Sequence, residues 1–445
     1  MESARKQFKL LPVFSLMMAS LACQLLAPEP ESTPPEADEV SVNRITYVNS
    51  AGDVFTIAGD GADRQQLTGG TQVGSGPTGP FMAQTMDFNN FFAWPTWSPD
   101  GTKLAVSRVR ALGDQDAEVT IQLLDAVTGR SRTLYETDFS GLVADGSPHY
   151  LYWSPDSKSL SFLASTPTGL GLFVTGIEPG DSPSALESGA PLYYSWSGDG
   201  ASLVVHIGEE VKLYRDVSAS VPSELLATAR GFRVPAFSPD GRSIAYVNQA
   251  ESGSVLLVAD LDDLDNPTRV AEVGAFSAFM WSPDGMSLAV ADQAAGNAVA
   301  FERMRLISAD GSAESTITEE LLLAFYWSPD SSRVAWVGLE REQRTFDWNV
   351  ATVSGDGAGE SRALFNFNPS RDVFTMLSFF DQYAYSHSPW SPDSSHLVVA
   401  GTQAAPFERR NGHTPTGARV FVLDALGSAP PQEIAEGTLA FWSWN

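Results

Sequence analysis

A ten-residue motif recurs along this chain of 445 residues and constrains its fold more than any other feature. In each copy an aromatic residue precedes Ser-Pro-Asp-Gly or a close variant, and an alternating apolar run follows, as in WSPDGTKLAV from Trp97. Successive copies lie between 41 and 63 residues apart. A period close to this is typical of repeat architectures, and of propeller blades in particular. The further copies begin at Trp153, Trp196, Phe237, Trp281, Trp327 and Trp390, and a truncated copy, FWSWN, occupies residues 441–445.

Each repeat reads as four short antiparallel strands. Ser-Pro-Asp-Gly has the chemistry of a tight turn, because Pro presets φ at the second position and Gly accepts the positive φ that ends the turn. Three copies place Ser157, Ser331 and Ser394 where the others have Gly, so we expect those turns to be strained or of another type. Apolar runs on both sides of the turn, and two more further along, supply the strands. Such a unit becomes stable by packing on neighbouring repeats.

The two ends of the chain predict how the array closes. Residues 45–68 contain the last three strands of a repeat without the first, whereas residues 439–445 contain a first strand with nothing after it. Joined, they make one sheet from both chain ends, the velcro closure of a propeller. The predicted fold is therefore all-β: a single eight-bladed β-propeller of four-stranded antiparallel blades over residues 43–445, with seven blades if one repeat is irregular.

The repeats resemble the WD40-like propeller repeats of the TolB family, whose units share the pattern (W/F)-S-P-D-G-x-x-(I/L)-A-(F/V/Y). The resemblance covers about residues 42–445 and recurs in register with the predicted strands. It implies the propeller fold but no particular activity, because repeats of this family serve binding proteins and the propeller halves of peptidases alike. No Gly-x-Ser-x-Gly nucleophile motif occurs in the sequence, so we expect no hydrolase domain and no enzymatic activity.

The first 42 residues are predicted to direct export rather than to fold. A basic start is followed by the apolar stretch 10–18, which is too short to span a membrane, and small residues then lead to Cys23. This arrangement predicts a lipoprotein signal over residues 1–23 with lipidation at Cys23; an ordinary cleaved signal with a chance cysteine is the alternative. Residues 24–42, rich in Pro and Glu, read as a solvated tether. We therefore expect an extracytoplasmic lipoprotein of the bacterial cell envelope, held to the membrane by its lipid alone.

Composition narrows the classes of partner. The formal net charge is −27, and such a surface repels phosphate backbones, so we expect no nucleic acid among the partners. Cys23 is the only cysteine, and hence no intramolecular disulfide can form. The five histidines never occur at close ligand spacing, and the acidic run 260–266 lacks the central Gly and the closing Glu of a calcium loop. We expect no metal, no cofactor and a monomer.

Loop lengths predict where a binding site lies. The turns within the motif are all short, whereas the long connections, above all 69–94, 367–388 and 402–417, belong to the opposite face of the ring and to neighbouring blades. Long loops on a rigid scaffold commonly carry binding function. Their aromatic and basic side chains give the candidate binding residues: Phe88, Phe91, Phe92, Trp94, Arg371, Phe379, Phe380, Tyr383, Tyr385, His387, Arg409, Arg410 and His413.

Aromatic rings beside arginines suit a peptide, a glycan or an anionic ligand. We therefore expect a non-catalytic scaffold that binds an envelope protein, a peptide or a glycan. Two alternatives stay open. Either the aromatic side chains pack on one another as a small core, or the same face carries a hydrolase or lyase site that uses His387 or His413.

Overall fold

The computed structural model describes residues 43–69, 90–111, 117–137, 149–166, 169–218, 223–231, 233–250, 253–293, 300–354, 357–404 and 417–445. They belong to one compact unit, Val42–Asn445. The predicted signal and tether with Cys23, and the candidate residues Phe88, Arg409, Arg410 and His413, lie outside these ranges. Of the helices within the ranges, none is long and apolar enough to cross a membrane.

The described residues form strands β1 to β31, which pair antiparallel in seven sheets. Sheet 1 contains β4 Asn90–Trp97, β5 Lys103–Ala111, β6 Ala117–Asp125 and β7 Ser131–Thr137. Sheet 2 contains β8 His149–Trp153, β9 Ser159–Thr166, β10 Gly169–Gly176 and β11 Ser184–Ser188. Sheet 3 contains β12 Leu192–Trp196, β13 Leu203–Ile207, β14 Glu210–Tyr214 and β15 Glu224–Thr228. Sheet 4 contains β16 Ala236–Phe237, β17 Ser243–Ala250, β18 Gly253–Asp260 and β19 Asp263–Val273.

Two of the remaining sheets continue this order, and the last one joins the chain ends. Sheet 5 contains β20 Phe276–Trp281, β21 Ser287–Gln293, β22 Arg303–Ser308 and β23 Glu314–Thr318. Sheet 6 has seven strands: β24 Leu322–Trp327, β25 Arg333–Glu340, β26 Thr345–Ser354, β27 Gly357–Pro369, β28 His396–Gln403, β29 Arg419–Asp424 and β30 Gln432–Glu436. The closing sheet contains β1 Arg44–Val48, β2 Val54–Ala58, β3 Gln65–Gln66 and β31 Leu439–Trp442.

The closing sheet pairs strands from opposite ends of the chain, as the sequence predicts. Strand β1 lies antiparallel to β31, with Thr46 opposite Phe441. Beyond the strands, the backbone N–H of Asn43 donates to the carbonyl of Asn445 at 2.7 Å. The closing sheet contacts sheet 1 through β1 and β4, and sheet 6 through β31 and β28. Because sheets 1 to 6 also contact one another in sequence order, the array returns to its start as a closed ring.

The motif turns explain why serine replaces glycine in three repeats. In all seven turns the fourth residue donates its N–H to the carbonyl of the first, and Ser157, Ser331 and Ser394 take φ of 60°, close to the 68° of Gly101. The turn type is thus unchanged, and the strain that we expected is present. Each serine hydroxyl offsets it by accepting a hydrogen bond from the backbone of the preceding turn. The pairs are Asp100 to Ser157 at 3.1 Å, Asp284 to Ser331 at 2.9 Å and Asp330 to Ser394 at 3.0 Å.

The motif tryptophans join neighbouring sheets. The indole N–H of Trp153, at the end of β8, donates to the carbonyl of Thr96 in sheet 1 at 3.0 Å. Trp281 and Trp327 make the same bond to the sheet before theirs, both at 3.3 Å, and Trp390 makes it to Tyr326 of β24 at 3.2 Å. Their rings are buried, so each supplies apolar contact and one polar link between sheets.

The connection between β27 and β28 is the largest departure from plain repeats. It contains helices α1 Arg371–Ser378 and α2 Phe380–Tyr383. Helix α1 starts at Ser370, whose hydroxyl accepts from the N–H of Val373 at 3.0 Å. Helix α2 contacts β12, β20 and β24, which are the first strands of three different sheets. We name residues 370–388 the central plug, because they lie where these first strands converge.

One boundary differs from the expectation. The connection 69–94 was predicted to be a loop, but β4 begins at Asn90, so Phe91, Phe92 and Trp94 are strand residues. Aromatic residues, which favour strands, make up half of residues 90–97 and are consistent with the longer strand.

Candidate ligand-binding site

A cavity of about 490 Å³ lies between the central plug and sheets 3, 5 and 6. Most of its lining is aromatic or aliphatic, and the few polar side chains include one carboxyl group, that of Asp381. Pockets that bind small ligands commonly combine an apolar wall with a few polar groups. The lining residues are Tyr193, Phe276, Ser277, Phe301, Leu323, Leu339, Phe346, Phe374, Leu377, Ser378, Phe379, Phe380 and Asp381.

Two sheets hold the aromatic wall in place. Phe276 opens β20, and its ring stacks on that of Phe301 with 4.5 Å between centroids. Phe301 is fixed in turn by a bridge to Leu322, at the start of β24. On the other side, the ring of Phe346 in β26 lies 6.1 Å from that of Phe374 in α1. The cavity is therefore preformed by strand ends and by the plug.

The amphipathic pattern of the plug determines which of its side chains are buried and which are exposed. Val373, Met376, Leu377 and Phe380 follow the spacing i, i+3, i+4 and i+7 and are all buried. Phe374 and Phe379 fall on the other side, with 47% and 42% of their surface exposed. The two exposed rings line the cavity, so they lie where it meets solvent.

Asp381 is the charged group of the cavity. Only 9% of its surface is exposed, and its Oδ1 accepts from the backbone N–H of Gln382 at 3.1 Å. None of the ion pairs among the described residues involves Asp381. Burial without a counter-charge disfavours the ionised form and raises the pKa of Asp381 to about 7.

Tyrosine hydroxyl groups surround this carboxyl. The charge of Asp381 contributes to raising the pKa values of Tyr193, Tyr326 and Tyr385, after the larger effect of burial. The hydroxyls of Tyr326 and Tyr385 are buried and find no hydrogen-bond partner in the part of the chain that is described. The hydroxyls of Tyr326 and Tyr385 are therefore buried polar groups whose hydrogen-bonding capacity is unused among the described residues.

The candidate residues on β4 do not reach the cavity. Phe91 and Phe92 are buried, Phe91 against Val109 and Val119, and Phe92 beneath the guanidinium of Arg108 at 5.6 Å. Trp94 adopts φ of 55° at a bulge in β4, which turns its ring toward the plug. There it stacks on Tyr383 with 5.1 Å between centroids.

The candidate residues of the plug divide into three groups. Phe379 and Phe380 line the cavity. Tyr383, Tyr385 and His387 face the ring centre, where Tyr383 also packs edge-on against Tyr150, a second residue with positive φ, 57°. Arg371 is exposed at the start of α1 and is absent from the lining. Together with Trp94, the members of the second group thus belong to an aromatic core around the plug.

His387 is a structural residue in this arrangement. Its Nε2 lies 3.1 Å from the hydroxyl of Thr96, and its Nδ1 lies 2.6 Å from that of Ser386. Burial lowers the pKa of His387 to about 3, so the ring is neutral at physiological pH. Only 1% of its surface is exposed, which does not suit a group that must reach a substrate. His413, the other histidine predicted for this face, lies outside the described residues.

Sequence reasoning missed Asp381, Phe276, Phe301 and Phe346. Asp381 is the only acid inside the aromatic run FFDQYAY, which is a signal that could have been used. Phe276 and Phe301 belong to one repeat and Phe346 to the next, and only the packing of these repeats brings the three rings to one cavity.

Comparisons with known proteins agree with the repeat pattern. Residues 208–406 match the family described as the LpqB lipoprotein β-propeller domain. No curated protein matches the chain significantly. Among solved structures, dihydro-heme d1 dehydrogenase NirN is 15% identical, with a TM-score of 0.53, over 94% of this chain and 79% of that one.

Other structural neighbours are more distant. TolB from Acinetobacter baumannii is 16% identical with a TM-score of 0.37, over 72% of this chain, and the match spans 65% of the TolB chain. Oligogalacturonate lyase from Vibrio parahaemolyticus is 13% identical with a TM-score of 0.42, over 88% of this chain and 84% of that one. At such identities the neighbours bear on the fold alone, and their activities do not transfer. The family match over residues 208–406 agrees with the β-propeller repeats that the recurring motif predicts.

Proposed function

We propose that this chain is a non-catalytic binding protein of the bacterial cell envelope, anchored by a lipid on Cys23. An eight-bladed propeller serves as its scaffold, and the cavity beside the central plug receives part of an envelope protein, a peptide or a glycan. The observation that carries the proposal is the pair of exposed aromatic side chains, Phe374 and Phe379, at the edge of a preformed apolar cavity.

The number of four-stranded units supports eight blades. Five of the numbered sheets have four strands, and so does the closing sheet. Sheet 6 divides at the plug into β24–β27 and β28–β30, and the bridge between Trp390 and Leu397 supplies a first strand for the second half. Each of the resulting units starts with one copy of the motif.

The lining chemistry supports binding rather than catalysis. Nucleophilic catalysis needs a nucleophile hydrogen-bonded to a base. The polar side chains that line the cavity are Tyr193, Ser277, Ser378 and Asp381, and the hydroxyl of Ser277 has no hydrogen-bond partner among the described residues. The hydroxyl of Ser378 donates to the carbonyl of Phe374 at 2.9 Å. No such pair is present in this lining.

Capture from envelope extracts tests the proposal. Deleting the plug would remove buried core, so we choose the exposed residues instead: the double variant Phe374→Ser, Phe379→Ser should lose partners that the wild-type protein retains. Met286→Ser and Leu426→Ser, at exposed positions in turns away from the cavity, are the matched controls. Equal capture by all the proteins would contradict the placed site.

Metabolic labelling with radioactive palmitate tests the anchor separately. We expect label on the wild-type protein and none on Cys23→Ser, with the variant released from the membrane fraction. Equal membrane association of both proteins would argue against the lipid.

A further inference from the structure

The cavity beside the plug combines aromatic walls with a single negative charge. Six phenylalanine rings and one tyrosine ring contribute to its lining. Aromatic faces carry partial negative charge and attract organic cations, the more so when water is excluded. Seven rings around one carboxyl group therefore favour a cationic ligand.

Charge complementarity points the same way. Asp381 has no ion-pair partner within the described ranges, and Arg371, the one predicted arginine that the structure describes, does not line the cavity. The groups that face its carboxyl are Tyr193 from β12, Tyr326 from β24 and Tyr385 beyond α2, which are neutral at physiological pH because burial raises their pKa values. With the net charge of −27, the protein also attracts cations over a longer range. A bound cation would provide the counter-charge that Asp381 lacks.

Hydrogen-bond capacity distinguishes between kinds of cation. A primary ammonium carries three N–H donors and needs an acceptor for each when it leaves water. Four of the thirteen lining residues are polar, and Asp381 is the only carboxylate among them. A quaternary nitrogen that bears three methyl groups has no N–H donor, so it needs no acceptor and contacts aromatic rings through its methyls. The lining therefore fits a methylated ammonium better than a primary one.

We propose that the cavity bounded by Phe276, Phe346, Phe374, Phe379 and Asp381 binds a small soluble molecule that carries a methylated, permanently charged ammonium group. The methylated nitrogen lies among the rings, and the carboxylate of Asp381 balances its charge. This inference goes beyond the proposed function, because it assigns a small-molecule ligand to the cavity beside the exposed rings. Direct titration with the small molecule tests this inference, whereas capture from extracts tests the proposed function, so either one can fail without the other.

Calorimetric titration of the purified protein at pH 8 with three probes tests the inference. Choline is the methylated cation, 3,3-dimethylbutan-1-ol is its neutral isostere, and ethanolamine is its primary analogue. We expect choline to bind at least tenfold more tightly than either analogue. Equal binding of choline and the neutral isostere, or no binding of choline, would overturn the proposal.

Two variants locate the site. Asp381→Asn should weaken choline binding at least tenfold, and Phe379→Leu should weaken it several-fold. Because Phe379 is 42% exposed, its replacement should leave the fold intact, which circular dichroism checks. Met286→Leu, exposed in the turn between β20 and β21, is the matched control. Choline binding that is unchanged in both site variants would overturn the assignment.

The ionisation of Asp381 supplies an independent readout. With a pKa of about 7, the carboxyl is mostly ionised at pH 8 and mostly protonated at pH 6. Choline binding should therefore weaken about tenfold between these values. Asp381→Asn should abolish the dependence, and a dependence that persists in this variant would count against the carboxylate.

The trimethylammonium group of choline also occurs in the headgroups of lipids and on methylated lysine side chains. Vesicles of phosphatidylcholine and a peptide with trimethyl-lysine separate those sources from a free solute. We expect the protein to bind choline but not the vesicles or the peptide. Binding of either without choline binding would overturn the small-molecule assignment, whereas choline binding without any captured envelope partner would contradict only the macromolecular part of the proposed function.

Discussion

The tryptophan links between sheets make a quantitative prediction about two residues of the same kind. Trp97 and Trp153 occupy equivalent positions at the ends of β4 and β8, and each is 2% exposed. The indole N–H of Trp153 donates to Thr96 at 3.0 Å, whereas that of Trp97 is buried without a partner in the described part of the chain. Replacing either tryptophan by phenylalanine removes a similar volume. At Trp153 the replacement also removes a hydrogen bond, whereas at Trp97 it removes a buried donor without a partner among the described residues.

The magnitudes follow from these environments. Losing the second ring leaves a cavity of roughly 40 Å³, which costs about 1 kcal/mol at both sites. Trp153→Phe also removes a hydrogen bond worth about 1 kcal/mol and leaves the carbonyl of Thr96 without that donor. Trp97→Phe removes a buried unpaired donor and recovers about 1 kcal/mol or more. We expect Trp153→Phe to lower the free energy of unfolding by about 2 kcal/mol, and Trp97→Phe to leave it nearly unchanged.

Urea denaturation followed by circular dichroism measures this difference. The slope of free energy against urea concentration should match in both variants, so that the midpoints report stability alone. Trp281→Phe, whose bond to Ala236 is longer at 3.3 Å, should fall between the two. Equal losses at Trp97 and Trp153 would refute the reasoning, because the indole links would then contribute nothing beyond packing.

Three further predictions concern the turns and the plug. Ser331→Ala keeps the positive φ and loses the bond from Asp284, so it should destabilise by about 1 kcal/mol, whereas Ser331→Gly relieves the strain and should be nearly neutral in the same urea assay. Since the folded pKa of Asp381, about 7, exceeds its unfolded value of about 3.9, the free energy of unfolding should fall as pH rises from 4 to 7, and Asp381→Asn should flatten this slope. For His387, the free energy of unfolding should change with pH in the opposite direction. Its folded pKa of about 3 lies below the unfolded value of about 6.5, so its contribution is full above pH 6.5 and is lost as pH falls toward 3; His387→Gln should remove it. Melting curves recorded between pH 3 and pH 7 check the predictions for Asp381 and His387. If either variant showed the same dependence of stability on pH as the wild type, the prediction for that residue would be contradicted.

The strands could be predicted from the sequence because each repeat contains the same local pattern of residues. Alternating apolar residues and a Ser-Pro-Asp turn specify two paired strands without help from the rest of the chain. The pairing of β1 with β31 could also be predicted, since residues 45–68 lack a first strand and 439–445 supply one. These features depend on neighbours in sequence or on counting repeats.

The plug was harder to predict, although a signal was present. Ser370 followed by Val373, Met376 and Leu377 has the cap and the spacing of an amphipathic helix. In a chain dominated by strand repeats, the same aromatic-rich stretch reads as a long loop. Asp381 could not be placed at all, because its burial depends on strands from three sheets that meet only in the closed ring. The carboxylate in the cavity lining follows from that tertiary contact.

The pairing of β1 with β31 has a consequence for biosynthesis. The ribosome makes β1, β2 and β3 first and β31 last, so the hydrogen-bonding edge of β1 stays open while nearly the whole chain is translated. At about 5–20 residues per second, that interval lasts tens of seconds. An unpaired strand edge is prone to join the wrong partner. We therefore expect a chaperone or delayed collapse to keep that edge unoccupied until β31 has been made.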